Sequence, residues 1–422
     1  MKADSMMTRF GAAFLLALFA LLPAGWAAAE IPAEDRCSVC HAEEEDGEVD
    51  VGQFHAVDVH ARAGLSCVDC HGGDSTTDDE DAAMDEDAGF VGAPGALDTP
   101  EFCGRCHADP EYMRTFNPAI PVDQLSQYLS SGHGLRNREG DPRVATCADC
   151  HGVHEMRAPS EPKSRVHPQR IASTCGECHS DAKLMERYAL PADQVELYEG
   201  SVHGRLVVEG KDLSAPTCND CHGDHGALPP NVASIHAICG NCHVFNRDLY
   251  ASSVKRSIFE DIEEHGCVTC HGNHGVQTTG DFCIGLAEGA FCVECHEDDG
   301  SDESEKILSM RALLDTLNHA VEETHGLIEE AEQKGMYVTD LEFLWNDVRQ
   351  KQFHARTGIH MFDPDSLGVL VSDGLALADS VRAGGTESLE EFRFRRKGLL
   401  IATLLITVLG ISLYFRIRSL DE

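Results

Sequence analysis

The stretch CADCHGVH at residues 147–154 shows how the chain is organised. Its first five residues are two cysteines separated by two residues and followed directly by a histidine, a pattern that occurs nine times. The nine motifs are CSVCH at 37–41, CVDCH at 67–71, CGRCH at 103–107, CADCH at 147–151, CGECH at 175–179, CNDCH at 218–222, CGNCH at 239–243, CVTCH at 267–271 and CVECH at 292–296. Together they use 18 of the 19 cysteines, so one repeated chemistry accounts for nearly all of them.

The spacing within the motif has a chemical reason. Two thiols three positions apart can each form a thioether bond to one haem, and the adjacent histidine then lies below the iron as its proximal ligand. Zinc and thioredoxin-like sites also use Cys-x-x-Cys, but they do not require that the second cysteine of each motif be followed by a histidine. The sequence therefore predicts nine covalently bound haem c groups.

The predicted attachment residues are Cys37, Cys40, Cys67, Cys70, Cys103, Cys106, Cys147, Cys150, Cys175, Cys178, Cys218, Cys221, Cys239, Cys242, Cys267, Cys270, Cys292 and Cys295. The predicted proximal ligands are His41, His71, His107, His151, His179, His222, His243, His271 and His296. Cys283 remains unassigned, either as a relic of a duplicated motif or as a free buried thiol.

The motifs recur in pairs, which predicts duplicated two-haem units stacked into one body. The repeat units cover about residues 55–110, 130–182, 200–246 and 262–298, and the first motif stands alone before them. The expected fold is mainly α with much irregular loop, as a multihaem cytochrome c domain over residues 30–300. A cysteine-free segment at 301–385 has apolar residues at helical spacing, which predicts helices that pack on the haems, with breaks at Gly335 and Pro364.

The chain has 23 histidines, so 14 remain as possible distal ligands after the nine proximal ones. The strongest candidates recur: His133, His203 and His265 at the openings of units, and His154, His225 and His274 three residues after a proximal histidine. Weaker candidates are His55, His60, His167 and His236. A histidine so close to one proximal ligand is expected to ligate the next haem. None of the methionines recurs in step with the motifs, so methionine ligation is not predicted.

Both ends of the chain indicate export and membrane attachment. Residues 1–29 have the charged start, apolar run and small residues of a signal peptide. Residues 386–422 are predicted to form a basic linker and a transmembrane anchor, whose uncharged span is 398–415. The basic residues before the span would favour the cytoplasm by the positive-inside rule. The expected export of the haem domain outweighs this charge rule, because haem c is attached outside the cytoplasm. We therefore expect a single-pass protein of the cytoplasmic membrane with a periplasmic haem domain.

The net charge of −39 argues against a nucleic-acid partner. Much of the negative charge lies in acidic runs at 43–50, 74–87 and 297–305. These runs have three interpretations that the sequence leaves open: solvated flexible loops, a field that steers a basic redox partner, or adaptation to high salt.

The SxHG and CHGxH patterns, together with GIHMFDP at 358–364, resemble the multihaem cytochromes that include nitrite reductase, hydroxylamine oxidoreductase and octahaem tetrathionate reductase. A similar segment of the nitrite reductases supplies a distal ligand, so the resemblance assigns that role to His360. Two features depart from this group. All nine motifs end in histidine, where nitrite reductases often have lysine at the catalytic motif, and the anchor instead resembles membrane-bound subunits of quinol-linked complexes.

Two functions follow from these features. The favoured one is an electron-transfer subunit that passes electrons between a quinol-oxidising membrane partner and periplasmic or extracellular acceptors, such as periplasmic cytochromes. The alternative is an oxidoreductase that acts on a small nitrogen or sulfur compound at one haem with an open distal site. The motifs CSVCH and CVDCH are the expected places for such a haem, because the first unit is the least regular. The sequence leaves the oligomeric state open.

Overall fold

A computed structural model describes residues 35–43, 57–230, 232–264 and 266–421. The expected signal peptide at 1–29 and the candidates His55 and His265 lie outside these residues. The described residues form helices and loops without a β-strand, which confirms the predicted mainly α fold. They divide into two compact units, with the boundary between Pro229 and Pro230.

The first unit consists of short helices joined by irregular loops. Its α-helices are Arg36–Glu43, Val59–Arg62, Cys67–His71, Glu80–Ala83, Thr99–His107, Pro110–Phe116, Gln124–Ser130, Gly132–Arg138, Cys147–His151, Pro168–His179, Ala182–Arg187, Gln194–Glu199, Val202–Val208 and Cys218–His222, and a 3-10 helix spans Glu86–Ala88. Each of its motifs therefore lies on a helix, either as a complete one-turn helix or within a longer one.

The one-turn motif helices are held by a cap just before the first cysteine. At Cys147–His151, the backbone N–H and the hydroxyl of Thr146 donate to the Asp149 carboxylate over 2.7 and 2.8 Å. The same pair of contacts joins Ser66 to Asp69 and Thr217 to Asp220. Gly152 follows the histidine with a φ of +82°, a conformation that ends the helix after one turn. The cap and the glycine together fix the orientation of the two cysteines and the histidine.

The SxHG pattern forms the start of a second kind of helix. At Gly132–Arg138, the Ser131 hydroxyl accepts the Gly134 N–H over 3.0 Å and donates to the Tyr128 carbonyl over 2.7 Å. A Cβ on Gly134 would lie 1.9 Å from that carbonyl oxygen, so only glycine fits after the histidine. The helix that carries His203 has the same close approach, between Gly204 and the Tyr198 carbonyl.

Substitution of Gly134 by alanine is expected to destabilise the first unit. The added methyl group would clash with backbone, which cannot move aside as a flexible side chain can, and such overpacking costs about 1–3 kcal/mol or more. Gly132→Ala is the matched control, because its Cβ would meet the Ala227 carbonyl at an ordinary 3.6 Å. Chemical denaturation of both holo-proteins measures the difference, and equal unfolding midpoints would contradict the prediction.

The second unit begins with short helices and continues into a helical bundle. Its α-helices are Val232–Gly240, Val244–Ser252, Val254–Asp261, Cys267–His271, Asp302–Gln333, Thr339–Gly358 and Pro364–Asp421, and its 3-10 helices are Asp281–Cys283, Phe291–Glu294 and Ile359–Met361. The last three α-helices pack side by side as the bundle predicted from the apolar spacing. The breaks fall at Gly335, which has a φ of +73°, and just before Pro364.

The bundle core comes from the apolar stripe of each helix. Leu314 and Leu317 of the first bundle helix, Val348 of the second, and Leu367 and Val371 of the third are almost completely buried. Burial of one such side chain stabilises a fold by about 1.5–3 kcal/mol. This apolar cluster therefore holds the three bundle helices together.

The third bundle helix continues without interruption from Pro364 to Asp421, so the basic segment predicted as a linker is helical instead. Gly384 and Gly385 do not break it. A Cβ at Gly384 would lie 2.6 Å from the Leu341 side chain, and one at Gly385 would lie 3.1 Å from that of Leu327. The glycines are therefore places where neighbouring helices approach closely, and this packing outweighs their low helix propensity.

The end of this helix carries the predicted membrane span. The side chains of residues 398–415 are exposed, although nearly all of them are apolar. The helix is long and apolar enough to cross a membrane, and none of its apolar window is buried against protein. At 1.5 Å per residue, 18 residues extend about 27 Å, close to the roughly 30 Å of a bilayer's hydrocarbon core.

Candidate functional site

The cysteines of neighbouring motifs lie close together in an alternating pattern. The thiols of Cys103 and Cys147, the first cysteines of the third and fourth motifs, lie close together, and their interaction raises the pKa of Cys103 and lowers that of Cys147. The same contact between first cysteines joins Cys175 to Cys218, and Cys239 to Cys267. Each contact brings one motif against the next motif along the chain.

The remaining pairs of successive motifs approach each other through cysteines other than two first cysteines. In the first unit, Cys70 lies near Cys106, and Cys150 lies near Cys178, so second cysteines alternate with first cysteines as the points of approach. At the start of the unit, the Ser38 hydroxyl lies 3.6 Å from the Cys67 sulfur. In the second unit, Cys270 lies near Cys292. Within each unit, successive motifs are therefore spatial neighbours in sequence order.

Five predicted proximal histidines face a predicted distal histidine. The ring centroids are separated by 5.8 Å for His107 and His60, 6.2 Å for His71 and His154, 6.2 Å for His179 and His133, 6.0 Å for His151 and His225, and 6.2 Å for His271 and His360. Two metal–imidazole bonds of about 2 Å each, together with the ring radii, separate centroids by roughly 6 Å. The five pairs therefore have the spacing that an iron between the two rings requires.

Hydrogen bonds at Nδ1 leave the other ring nitrogen for a metal. His71 Nδ1 donates to the Gly92 carbonyl over 2.8 Å, His222 Nδ1 to the Leu228 carbonyl over 3.1 Å, and His360 Nδ1 to the Thr357 carbonyl over 2.9 Å. A carbonyl can only accept, so Nδ1 carries the proton and Nε2 keeps its lone pair. This is the arrangement that orients metal-binding histidines in proteins.

Burial keeps four of the facing histidine rings neutral, as metal ligation requires. Desolvation, together with smaller contributions from the nearby His225 and His107, lowers the pKa of His151 to about 4. The pKa values of His107, His133 and His179 are also lowered mainly by burial. At neutral pH these side chains are therefore uncharged donors with available nitrogens.

Asp58 positions a predicted distal ligand, and it was not among the residues predicted from the sequence. Its side chain is completely buried, and its carboxylate accepts the His60 N–H over 2.8 Å and the Met156 N–H over 2.7 Å, and contacts His60 Nδ1 at 3.0 Å. It thereby orients His60 and fixes the loop just after His154. The position of Asp58, before the short helix that carries His60, is the local signal that could have identified it.

The variant Asp58→Asn is expected to lose about 1.5–3 kcal/mol of stability, the typical contribution of a hydrogen bond to a charged group. An amide has one acceptor oxygen in place of two, so it cannot satisfy all three donors in this completely buried site. Urea unfolding of the holo-protein measures the loss, with the exposed Asp87→Asn as the control. Unfolding curves that coincide for the two variants would show that the Asp58 carboxylate is dispensable.

The structure refines the predicted partners. We expected His154 and His225 to ligate the next haem, but each faces the proximal histidine two motifs earlier, His71 and His151. These pairings arise because the turn after each CHGxH pattern lies against the second motif before it in sequence, so that one intervening motif is passed over. Since His154 lies opposite His71, CVDCH is not the place where the structure suggests an open distal side.

The other candidates are less defined. His203 lies on Val202–Val208 at the position equivalent to His133, and His274 follows its motif as His154 does, so both remain predicted ligands. His167 is buried and caps Pro168–His179 by accepting the Gln169 N–H over 3.3 Å, a structural role that the sequence analysis did not consider. His236 lies on Val232–Gly240. His296 contacts Lys255, whose Nζ lies 3.0 Å from its Nε2.

Comparisons with known proteins identify sequences that resemble this chain. Residues 59–180 match the family model for cytochrome c3. The chain is also 25% identical over 224 residues to the multiheme cytochrome MtrA of Shewanella baltica strain OS185, an alignment that covers 50% of this chain and 53% of the relative. The chain thus spans about half the length of that relative. No solved structure matches.

The chain is a multihaem cytochrome c. The cytochrome binds haem c, and the neutral facing histidines fit that group. Neither match is to the nitrite reductases or hydroxylamine oxidoreductases, so the finer resemblance drawn from the SxHG and CHGxH patterns remains a prediction.

Proposed function

We propose that this cytochrome is an electron-transfer protein with nine haems, attached at all 18 motif cysteines and ligated by the nine proximal histidines. The observation that carries the proposal is the alternating contact of cysteines between successive motifs. Haems held at neighbouring motifs would lie close to one another, which is what transfer from one haem to the next requires. Within each unit, electrons would then pass in the order of the motifs along the chain.

The facing histidines support conduction over catalysis. An iron between two histidines has both axial positions filled and leaves no site for a substrate. The five observed pairs would account for more than half of the nine haems. Bis-histidine ligation also gives lower reduction potentials than histidine–methionine ligation, which suits exchange with a quinol pool.

The C-terminal helix supports attachment to a membrane. We infer that residues 398–415 anchor the cytochrome in the cytoplasmic membrane with its haems on the periplasmic side. In that position it would take electrons from a quinol-oxidising membrane protein and pass them to periplasmic or extracellular acceptors. The surplus of 39 negative charges would attract basic partners.

Two measurements on the purified protein test the proposal. Its mass should exceed that of the mature chain by nine haems, and its ferric electron paramagnetic resonance spectrum should contain low-spin signals only. A lower haem count would remove individual motifs from the proposed pathway. A high-spin signal of one haem per chain would contradict pure electron transfer and indicate an enzyme with an open distal site.

A further inference from the structure

The side chain of Lys255 is unusual in a chain with 72 acidic residues, because it faces a histidine. It extends from the helix Val254–Asp261 and is partly buried, with its Nζ 3.0 Å from His296 Nε2. The rings of Phe259 and Phe362 lie 5.8 and 6.0 Å from the same Nζ. Among the residues that the structure describes, no carboxylate forms an ion pair with Lys255. The amine thus points at the ring nitrogen of His296 that a haem iron would bind.

Lys255 stands where two other repeats have a histidine. In each repeat a buried tyrosine is followed after three residues by a serine and after five by the residue in question. The three sets are Tyr128, Ser131 and His133; Tyr198, Ser201 and His203; and Tyr250, Ser253 and Lys255. The serine caps the helix in the first set and immediately precedes the helix in the third, and both Ser131 and Ser253 donate to their tyrosine's carbonyl over 2.7 Å. The backbone therefore presents Lys255 as it presents His133.

This alignment changes the distal-ligand assignment made for the fourth repeat unit of the sequence. His265 lies two residues before the first cysteine of its motif, where the other two units have Ala145 and Pro216. The tyrosines point to the same place: the Tyr128 and Tyr198 hydroxyls donate to the carbonyls of Ala145 and Pro216 over 3.0 Å. His265 is therefore not the equivalent of His133, and the opening residue of the fourth unit is Lys255. One difference remains, because Arg256 replaces the glycine of SxHG.

The target of the side chain is equivalent as well. His133 faces His179, the proximal histidine of the motif that closes its unit, and Lys255 faces His296 of CVECH, the motif that closes the fourth unit. We infer that Lys255 is the distal ligand of the haem attached at Cys292 and Cys295, giving it histidine–lysine ligation. This inference rests on the proposed attachment of a haem at that motif.

The chemistry of such a bond is simple. The ammonium group has no lone pair, so ligation releases one proton to solvent and leaves a neutral amine on the iron. Two metal–nitrogen bonds need about 4 Å between the ligand atoms, more than the observed 3.0 Å. The four-carbon stem of lysine provides this adjustment, because it has several rotatable bonds.

Three variants of the full-length holo-protein test the inference. Lys255→Ala should convert one haem to the high-spin ferric state and make it bind carbon monoxide when reduced. Lys255→His should keep every haem low-spin but remove the near-infrared charge-transfer band of amine-ligated iron, which shifts to that of bis-histidine iron. Lys183→Ala, which removes an exposed lysine of the first compact unit, should leave the spectra unchanged.

A fully low-spin Lys255→Ala protein with the same haem count as the unmodified protein would overturn the assignment. A separate variant, Cys292→Ser with Cys295→Ser, isolates the underlying assumption by mass. If it does not lower the mass by one haem, the proposed attachment at the ninth motif fails, independently of which residue is the distal ligand.

Discussion

Replacement of His225 by methionine is expected to raise the reduction potential of one haem by on the order of 0.1 V, within the span of about 0.8 V that axial ligands cover. His225 faces His151 at 6.0 Å, and His151 belongs to the fourth of the six motifs in the first compact unit. A haem of raised potential there would hold electrons that its neighbours pass on. Redox titration should therefore show one displaced component, and stopped-flow reduction should show slower transfer through the protein.

The control for this variant is His319→Met. His319 is exposed on the first bundle helix, so its replacement should change neither the potentials nor the rate. His225→Ala provides a second readout, since loss of the ligand without a substitute should produce one high-spin haem. Titration curves of His225→Met that match those of the unmodified protein would show that His225 does not ligate an iron.

Removal of residues 398–422 is expected to release the cytochrome from membranes into the soluble fraction. Each leucine or isoleucine of the span favours insertion by about 0.3–0.6 kcal/mol, and every 1.4 kcal/mol changes a distribution tenfold. The ratio of membrane-bound to soluble cytochrome should therefore fall more than tenfold. Fractionation followed by haem staining measures this ratio.

Truncation after Phe415 is the matched control, because it keeps the whole apolar span and removes only the last seven residues. This shorter deletion should leave the protein in the membrane. The proposed orientation is tested in the same cells, since protease added to spheroplasts should digest the haem-bearing part. Retention of the larger truncation in membranes would mean that another segment or a partner holds the cytochrome there.

The haem chemistry could be predicted from the sequence because it is local. Two cysteines and a histidine within five residues already hold the groups that bind one haem, whatever the rest of the fold does. The caps at Thr146 and Asp149, the glycines after the histidines and the apolar stripes of the bundle are also short-range patterns, so the helices followed from them. The apolar run at 398–415 likewise needed only its own composition to indicate a membrane span.

The pairing of histidines could not be predicted in the same way, because it depends on how distant segments pack. His154 faces His71 rather than a neighbour in sequence, and the buried Asp58 joins the segments that carry His60 and His154. The continuity of the last helix past Gly384 and Gly385 was also decided by contacts, with Leu341 and Leu327 of the other bundle helices.

The sequence by itself thus determined which cofactor this protein binds, and that one end of the chain is apolar enough for a bilayer. Only the tertiary structure decided which side chain lies opposite six of the predicted proximal histidines, including the lysine that faces His296. The physical reason is range: covalent attachment and helix formation depend on residues a few positions apart, whereas an axial ligand must reach across the fold to the far face of a haem.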